Sequence, residues 1–158
     1  MLKLIVCTDK NGLIGDADPK GNGLLWHSKE ELTHYKNCTL GQVTLMGKNT
    51  AKVVPVELMR KNREVIILNR DTDIDELLTK YSDKDIFVCG GLTIYEFFLK
   101  NYPMDELLIS RLKPHIVVET PITPLYFPNV EKYGYVLKKT IEFQDFYLET
   151  YKKGEENV

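Results

Sequence analysis

The sequence predicts a single α/β domain: a mostly parallel central sheet, antiparallel strands at its C-terminal end, and helices on both faces. Three features of the 158 residues carry that expectation. Five short runs rich in Val, Ile and Leu lack in–out alternation, as strands covered on both faces do. Helical patterns alternate with them, which is the signature of a wound α/β sheet. Two longer strand-like runs then follow each other directly across a short turn.

The opening strand is "KLIVCT" (3–8). The stretch "GLIGDADPKGNGLL" (12–25) is rich in Gly, Asp and Asn and reads as a mobile loop. A helix near 29–38 begins after Ser28, followed by the strand "QVTLMG" (42–47). The next helix, near 49–59, contains Pro55 and is therefore predicted to be short or kinked. "EVIILN" (64–69) is a strand, and Thr72 or Asp73 caps a helix over 74–81. "DIFVCG" (85–90), a helix over 92–101 and "ELLISRL" (106–112) complete the alternating part. "YGYVLKKTIEF" and "DFYLETYKK" form the antiparallel addition, turning around Gln144, and the tail 154–158 is expected to fray. Repeats, low-complexity tracts and linkers are absent from the sequence, so residues 1–158 read as one domain.

Composition narrows the function. Hydrophobic residues make up 43% and charged residues 28%, ordinary for a globular protein, and the formal charge of −2 suggests no nucleic-acid or acidic-membrane partner. No apolar run approaches the ~20 residues of a membrane span, and the N-terminus lacks the features of a signal peptide. Cys7, Cys38 and Cys89 are odd in number and widely spaced, without metal-ligand spacing to the three histidines. They are expected to be reduced core thiols in a cytoplasmic protein that holds no metal.

The chemistry concentrates in "LLWHSKEELTHYKNCT" (24–39), which holds the only tryptophan, Trp26. At about 100° per residue, Leu32, Tyr35 and Thr39 share one side of the helix and Glu31 falls within that stripe. Glu30 falls outside it and is expected to face solvent. Two readings of Glu31 stand at this point. Ser28-Lys29-Glu30-Glu31 has the form of a capping box, in which Glu31 reaches back to the Ser28 amide. Alternatively Glu31 is a buried functional acid, since sinking an unpaired carboxylate raises its pKa. The preceding glycine-rich loop is in keeping with a lidded pocket.

Two further features point to an anionic ligand. Gly90-Gly91 lies between a strand and an amphipathic helix, where a backbone can approach a ligand closely and free amides can meet an anion. The alternative is a plain tight turn, and no G-x-G-x-x-G fingerprint is present. Lys48 and Arg70 each close a strand, a pattern that suits a phosphorylated dinucleotide, NADP rather than NAD.

Six segments, "NGLIG", "LWHSKEELTHYKNCT", "VTLMGKNT", "REVIILNR", "FVCGGLTIYEFFL" and "YFP", occur in an order and spacing that resemble the dihydrofolate reductase family over nearly the whole chain. The resemblance implies an oxidoreductase with an eight-stranded sheet that reduces dihydrofolate with NADPH, serving one-carbon metabolism and thymidylate synthesis as an antifolate target. It implies catalytic roles for Glu31, five residues after the tryptophan, and for Trp26, which would help hold a water. Cys7, Leu32, Tyr35, Val54, Leu58, Cys89 and Ser110 would contact substrate, and Arg63, rather than Arg60, would hold its glutamate carboxylate. On the cofactor side it implies Val6, Cys7, Ile14 and Gly15; then Gly47, Lys48, Asn49 and Thr50; then Leu68, Asn69 and Arg70. Cys89, Gly90, Gly91, Leu92, Thr93, Ile94 and Tyr95 complete that set. Residues 43–95 would form an adenosine-binding subdomain, the Gly90–Gly91 bond would be cis, and the protein would be a monomer.

The chain departs from the family pattern in three places. Leu25 stands where the family usually has Pro, the segment between Gly15 and Trp26 is longer than in bacterial members, and "VVETPITPLYFP" is extended and proline-rich. The last leaves the roles of Thr120 and Thr123 open. Two rivals share the scaffold, a reductase of the riboflavin pathway and a non-catalytic NADP-binding protein. The spacing of Trp26 to Glu31 and the presence of Arg63 favour the folate reading.

Overall fold

The computed structural model describes residues 1–18 and 24–155. Strand β1 (Leu2–Thr8) runs through the middle of the sheet, β2 (Leu13–Asp16) leaves it, and helix α1 (Lys29–Thr39) follows. Then come β3 (Val43–Met46), α2 (Lys48–Ala51), α3 (Val56–Met59), β4 (Glu64–Ile67), α4 (Ile74–Lys80), β5 (Ile86–Val88) and α5 (Leu92–Asn101). The chain ends with β6 (Glu106–Leu112), β7 (Pro124–Tyr126), a 3-10 turn (Val130–Tyr133), β8 (Tyr135–Glu142) and β9 (Phe146–Lys153). Pro55 divides the second predicted helix into α2 and α3, as its missing N–H and fixed φ require. Asp73 is the residue that caps α4, accepting from the Glu76 amide at 3.0 Å.

The main sheet has the order β4-β3-β5-β1-β6-β9-β8. β4, β3, β5, β1 and β6 are parallel; β6–β9 and β9–β8 are antiparallel. Among the described residues it has seven strands, not the eight that the family resemblance implied. β2 and β7 pair with each other in a separate two-stranded ribbon. Leu13–Asp16 is therefore strand rather than loop. Its Asp16 carboxylate accepts from the amides of Ile122 and Thr123 at 2.8 Å each, and Thr123 Oγ1 donates to Asp18 at 2.7 Å. That pairing engages the proline-rich insertion, and a partner so distant in sequence leaves no local signal. The remainder of the predicted loop, residues 19–23, and the tail end, 156–158, lie outside the described residues. Gly154, expected to fray, donates its N–H to Gly134 O at 2.9 Å and extends the β8–β9 hairpin by one rung.

Alternation along the strands builds two apolar layers. Leu4, Val6, Val43, Leu45, Val88, Leu107 and Ile109 face α4 and α5, meeting Leu77, Tyr95, Phe98 and Leu99. On the opposite face Met46 and Val65 meet Met59 of α3 and Tyr35 of α1, while Leu112, Phe146 and Leu148 meet Trp26 and Phe143. Helices thus cover both faces, and α1 lies across the second. The chain runs from β1 out to β3 and β4, crosses back through β5 and reaches β6 on the far side of β1. Winding reverses beside β1, and in open α/β sheets the ligand crevice lies beyond the strand ends at such a reversal.

Tyr135 holds the C-terminal hairpin to this core. Its ring is fully buried and its hydroxyl accepts from the Met104 amide at 3.0 Å. Tyr135→Phe strands that buried N–H and should lower unfolding free energy by roughly 1–3 kcal/mol, read by urea denaturation. An unchanged midpoint would show that the bond contributes nothing.

Candidate active site

Glu31 occupies the first turn of α1, beneath the C-terminal ends of β1 and β6. Ser28 caps the helix, its Oγ accepting from the Glu31 amide at 3.2 Å. Only half of the capping box forms: among the described residues the Glu31 carboxylate makes no return bond to the Ser28 amide. The carboxylate points instead into the cleft, where burial raises its pKa and the Ser110 hydroxyl offsets part of that rise. Ser110 Oγ is wholly buried and, among the described residues, has no hydrogen-bond partner within 3.5 Å. A buried acid facing an orphaned hydroxyl is an arrangement that a polar ligand edge would complete.

The groups around Glu31 are buried or half-buried and partly desolvated. Burial pushes the Cys7 thiol well up, the Glu31 charge pushes it further, and the Trp26 indole partly offsets both. Glu31, Cys7, Trp26 and Ser110 therefore share one corner. Burial also holds the Tyr35 phenol far above its ordinary range and pushes Cys89 up to about 12, with Tyr35 and Arg63 both within electrostatic reach of that thiol. Both thiols are neutral packing groups at physiological pH.

Along the outer part of the cleft, apolar side chains are left uncovered. Leu32 of α1 is 42% exposed and Leu58 of α3 60% exposed, with Val54 half-buried near Tyr35. Beside them Arg63 is held by α1: Nε donates to Thr39 Oγ1 and Nη2 to Lys36 O, each at 2.8 Å, and Nη1 donates to Asn62 Oδ1. A guanidinium anchored to backbone in this way is set to present its remaining donors to a carboxylate. Arg60, by contrast, is exposed and paired with Glu57 at 2.9 Å.

The second half of the cleft is lined by backbone. The Gly90–Gly91 peptide is cis, and Gly90 has φ 116, a region that disfavours side chains. Gly47 donates its N–H to Gly90 O at 2.8 Å, and a Cβ on Gly47 would lie 3.0 Å from Ile94 Cγ1, so α5 packs too close to the end of β3 for a side chain here. The first turn of α5 has no side-chain cap and no acidic residue, and neither does that of α2. Thr50 Oγ1 lies 3.4 Å from where a Gly91 Cβ would stand. Lys48 and Arg70 are exposed and make no ion pair among the described residues. Open amides, a backbone cradle and two unpaired cations fit the phosphates of a dinucleotide.

Not every expected residue offers its side chain. Val6 and Leu68 are core residues. Tyr95 is buried with its hydroxyl donating to Ile5 O at 2.8 Å, and Asn69 Oδ1 is taken by the Asp71 amide at 2.8 Å. Ile14 and Gly15 lie in β2. Glu30 is half-buried rather than fully solvated: its Oε1 accepts from the Asp145 amide at 2.8 Å and its Oε2 from the Gln144 amide at 3.4 Å. Helical phase placed it outside the apolar stripe correctly, but the β8–β9 turn comes up beside that flank. Ser28 and Asp145, which belong to the same contact, were absent from the sequence-based site because their pairing spans 117 residues.

Comparison with known proteins places the chain in a family. The family model described as dihydrofolate reductase matches residues 1–152. The chain is 29% identical to the dihydrofolate reductase of Mycoplasma genitalium, covering 99% of this chain and 100% of that one. It is 30% identical to that of Mycoplasma pneumoniae, covering 97% and 98%. Among solved structures, a dihydrofolate reductase from Enterococcus faecalis complexed with NADP(H) and RAB-propyl shares the fold, with a TM-score of 0.71 at 20% identity, covering 98% of this chain and 97% of that one.

The raised pKa of Glu31 has a consequence for stability. The folded state disfavours its ionised form, so a penalty builds as pH rises through the folded pKa and is absent below the unfolded value of about 4.3. Glu31→Gln should therefore raise the melting temperature of the free protein at pH 8, with the gain shrinking as pH approaches 4. A difference independent of pH would contradict the burial of the carboxylate.

Proposed function

Because the chain belongs to the dihydrofolate reductase family, we infer that it reduces 7,8-dihydrofolate to 5,6,7,8-tetrahydrofolate with NADPH, and that Glu31 promotes protonation of the pterin. The observation that carries this reading is the desolvated Glu31 carboxylate opposite the orphaned Ser110 hydroxyl. A carboxyl raised by its pocket can pass a proton near neutrality, where an ordinary one is fully ionised. Trp26 closes the pocket on one side and helps retain the water through which the proton travels. Tyr35, Val54, Leu32 and Leu58 take the aminobenzoyl ring between α1 and α3, and Arg63 takes the glutamate carboxylate.

NADPH supplies the hydride when bound. Toward it, Gly90, Gly91 and the first turn of α5 offer amides to the pyrophosphate, with Thr50 alongside. Lys48 and Arg70 meet the adenosine phosphates, and residues 43–95 serve as the adenosine-binding subdomain. The carbon–nitrogen double bond that is reduced gains one hydride and one proton, which balances the reaction. No helix among the described residues is long and apolar enough to cross a membrane. The reading includes a monomer working in the cytoplasm, without a nucleic-acid or membrane partner.

Loss of NADPH absorbance on addition of dihydrofolate tests the activity. A riboflavin-pathway reductase would leave dihydrofolate untouched, and a binding protein would turn nothing over. Glu31→Gln should slow hydride transfer at pH 7 by at least ~10²; single-turnover stopped flow reads it, and a smaller effect removes Glu31 from proton delivery. Arg70→Ala should weaken NADPH far more than NADH in fluorescence titration, and equal losses would remove Arg70 from the 2′-phosphate.

A further inference from the structure

Glu31 is delivered to the cleft by a helix whose start is fastened to the far end of the sheet. Glu30 Oε1 accepts from the Asp145 amide at 2.8 Å and Oε2 from the Gln144 amide at 3.4 Å. Ser28 Oγ donates to Asp145 Oδ2 at 2.6 Å while accepting from the Glu31 amide. One turn further along α1, the His34 ring rests on Phe143 and Phe146, centroids 6.1 and 5.6 Å away, and those two rings stack at 4.5 Å. The β8–β9 turn thus meets the first two turns of α1 through a carboxylate, a hydroxyl and an aromatic face. Trp26, which walls the Glu31 pocket, packs into the same Phe146 cluster.

We propose that Glu30 is a positioning residue for the reduction: by accepting the amide hydrogens of the β8–β9 turn it locks the start of α1 against that turn and so keeps Glu31 in its cleft. The proposal rests on the dihydrofolate reductase reading. It assigns different tasks to two neighbouring acids, one that faces the reacting ring and one that holds the hairpin. Capping a turn whose amides have no strand partner is a task suited to a carboxylate, because charge-assisted bonds to N–H groups are short and strong. Asp145 completes the clamp from the other side; its carboxyl is held below the usual range first by Ser28 and then by His115, whose Nε2 lies 3.1 Å from Oδ1. Release of the turn would let water reach Glu31 from the helix start, and a wetted carboxylate ionises more readily.

The test is the pH dependence of single-turnover hydride transfer with dihydrofolate and NADPH. Among the described residues the titratable groups that sense Glu31 are Cys7, Cys38 and Tyr95, all pushed upward and neutral across the range used. Lys113 faces Glu30, Lys113 and His115 face Asp145, and His34, pushed down by burial, rests on Phe143 and Phe146. Glu30→Ala should move the midpoint to lower pH by about one unit, with a roughly tenfold loss of rate at pH 7 and little change in KM for dihydrofolate. Glu30→Gln keeps an acceptor for the Asp145 amide while removing the charge, and should restore most of the rate and midpoint. An unmoved midpoint in Glu30→Ala, whatever its melting temperature, overturns the proposal. Equal shifts in the Ala and Gln variants overturn it too, since loss of charge alone would then explain them. If Glu30→Ala does not fold, Glu30→Ser, whose side chain is too short to reach either turn amide, is read against the same midpoint with the same two outcomes. Failure of the unaltered protein to reduce dihydrofolate would sink the functional reading itself, a result distinguishable from both.

Discussion

The cost of taking one carboxylate out of water organises this molecule. A solvated Glu31 would be a helix cap and nothing more. Placed over the ends of β1 and β6, between Trp26 and a buried serine hydroxyl, it becomes a group whose ionisation the fold opposes. Much of the architecture serves that placement. Parallel strands buried on both faces supply the low-dielectric floor, the reversal of winding beside β1 opens the cleft, and α1 is held from both ends. Ser28 and Glu30 fix its start to the β8–β9 turn, and Thr39 and the Lys36 carbonyl fix its end to Arg63.

The two halves of the cleft use different chemistry. The half under α1 is side-chain chemistry: an acid, an indole, thiols kept neutral by burial and apolar lips left uncovered. The half under α2 and α5 is backbone chemistry, in which Gly47 and Gly90 leave room for the Ile94 and Tyr95 side chains of α5 and helix starts without side-chain caps leave their amides open. Substitution should act differently on them. Side-chain changes in the first half alter charge and packing, whereas in the second half the addition of a Cβ at Gly47 or Gly90 is the disruptive event.

Sequence periodicity revealed the alternating elements and the inward phase of Glu31 because both follow from rules that act over a few residues. Pro55 and Asp73 announced a helix break and a helix start for the same reason. What stayed hidden depends on distant pairing. β2 and β7 are short and carry Gly15 and Pro124, so they read as loop until Asp16 is seen to accept the Ile122 and Thr123 amides. Glu30 was assigned to solvent by helical phase alone, and only the return of the chain at Gln144 and Asp145 changes its surroundings. Among the described residues the main sheet lacks the eighth strand that the family resemblance implied, and β2 and β7 pair in a ribbon of their own.

The most direct measurement is a site-resolved titration of the Glu31 side chain in the ligand-free protein, by NMR of carbon-13-labelled glutamate with the signal assigned through Glu31→Gln. The account predicts a midpoint clearly above the ordinary glutamate value of about 4.3. A midpoint at or below that value would show the carboxylate to be solvated and would contradict the central role given to its burial.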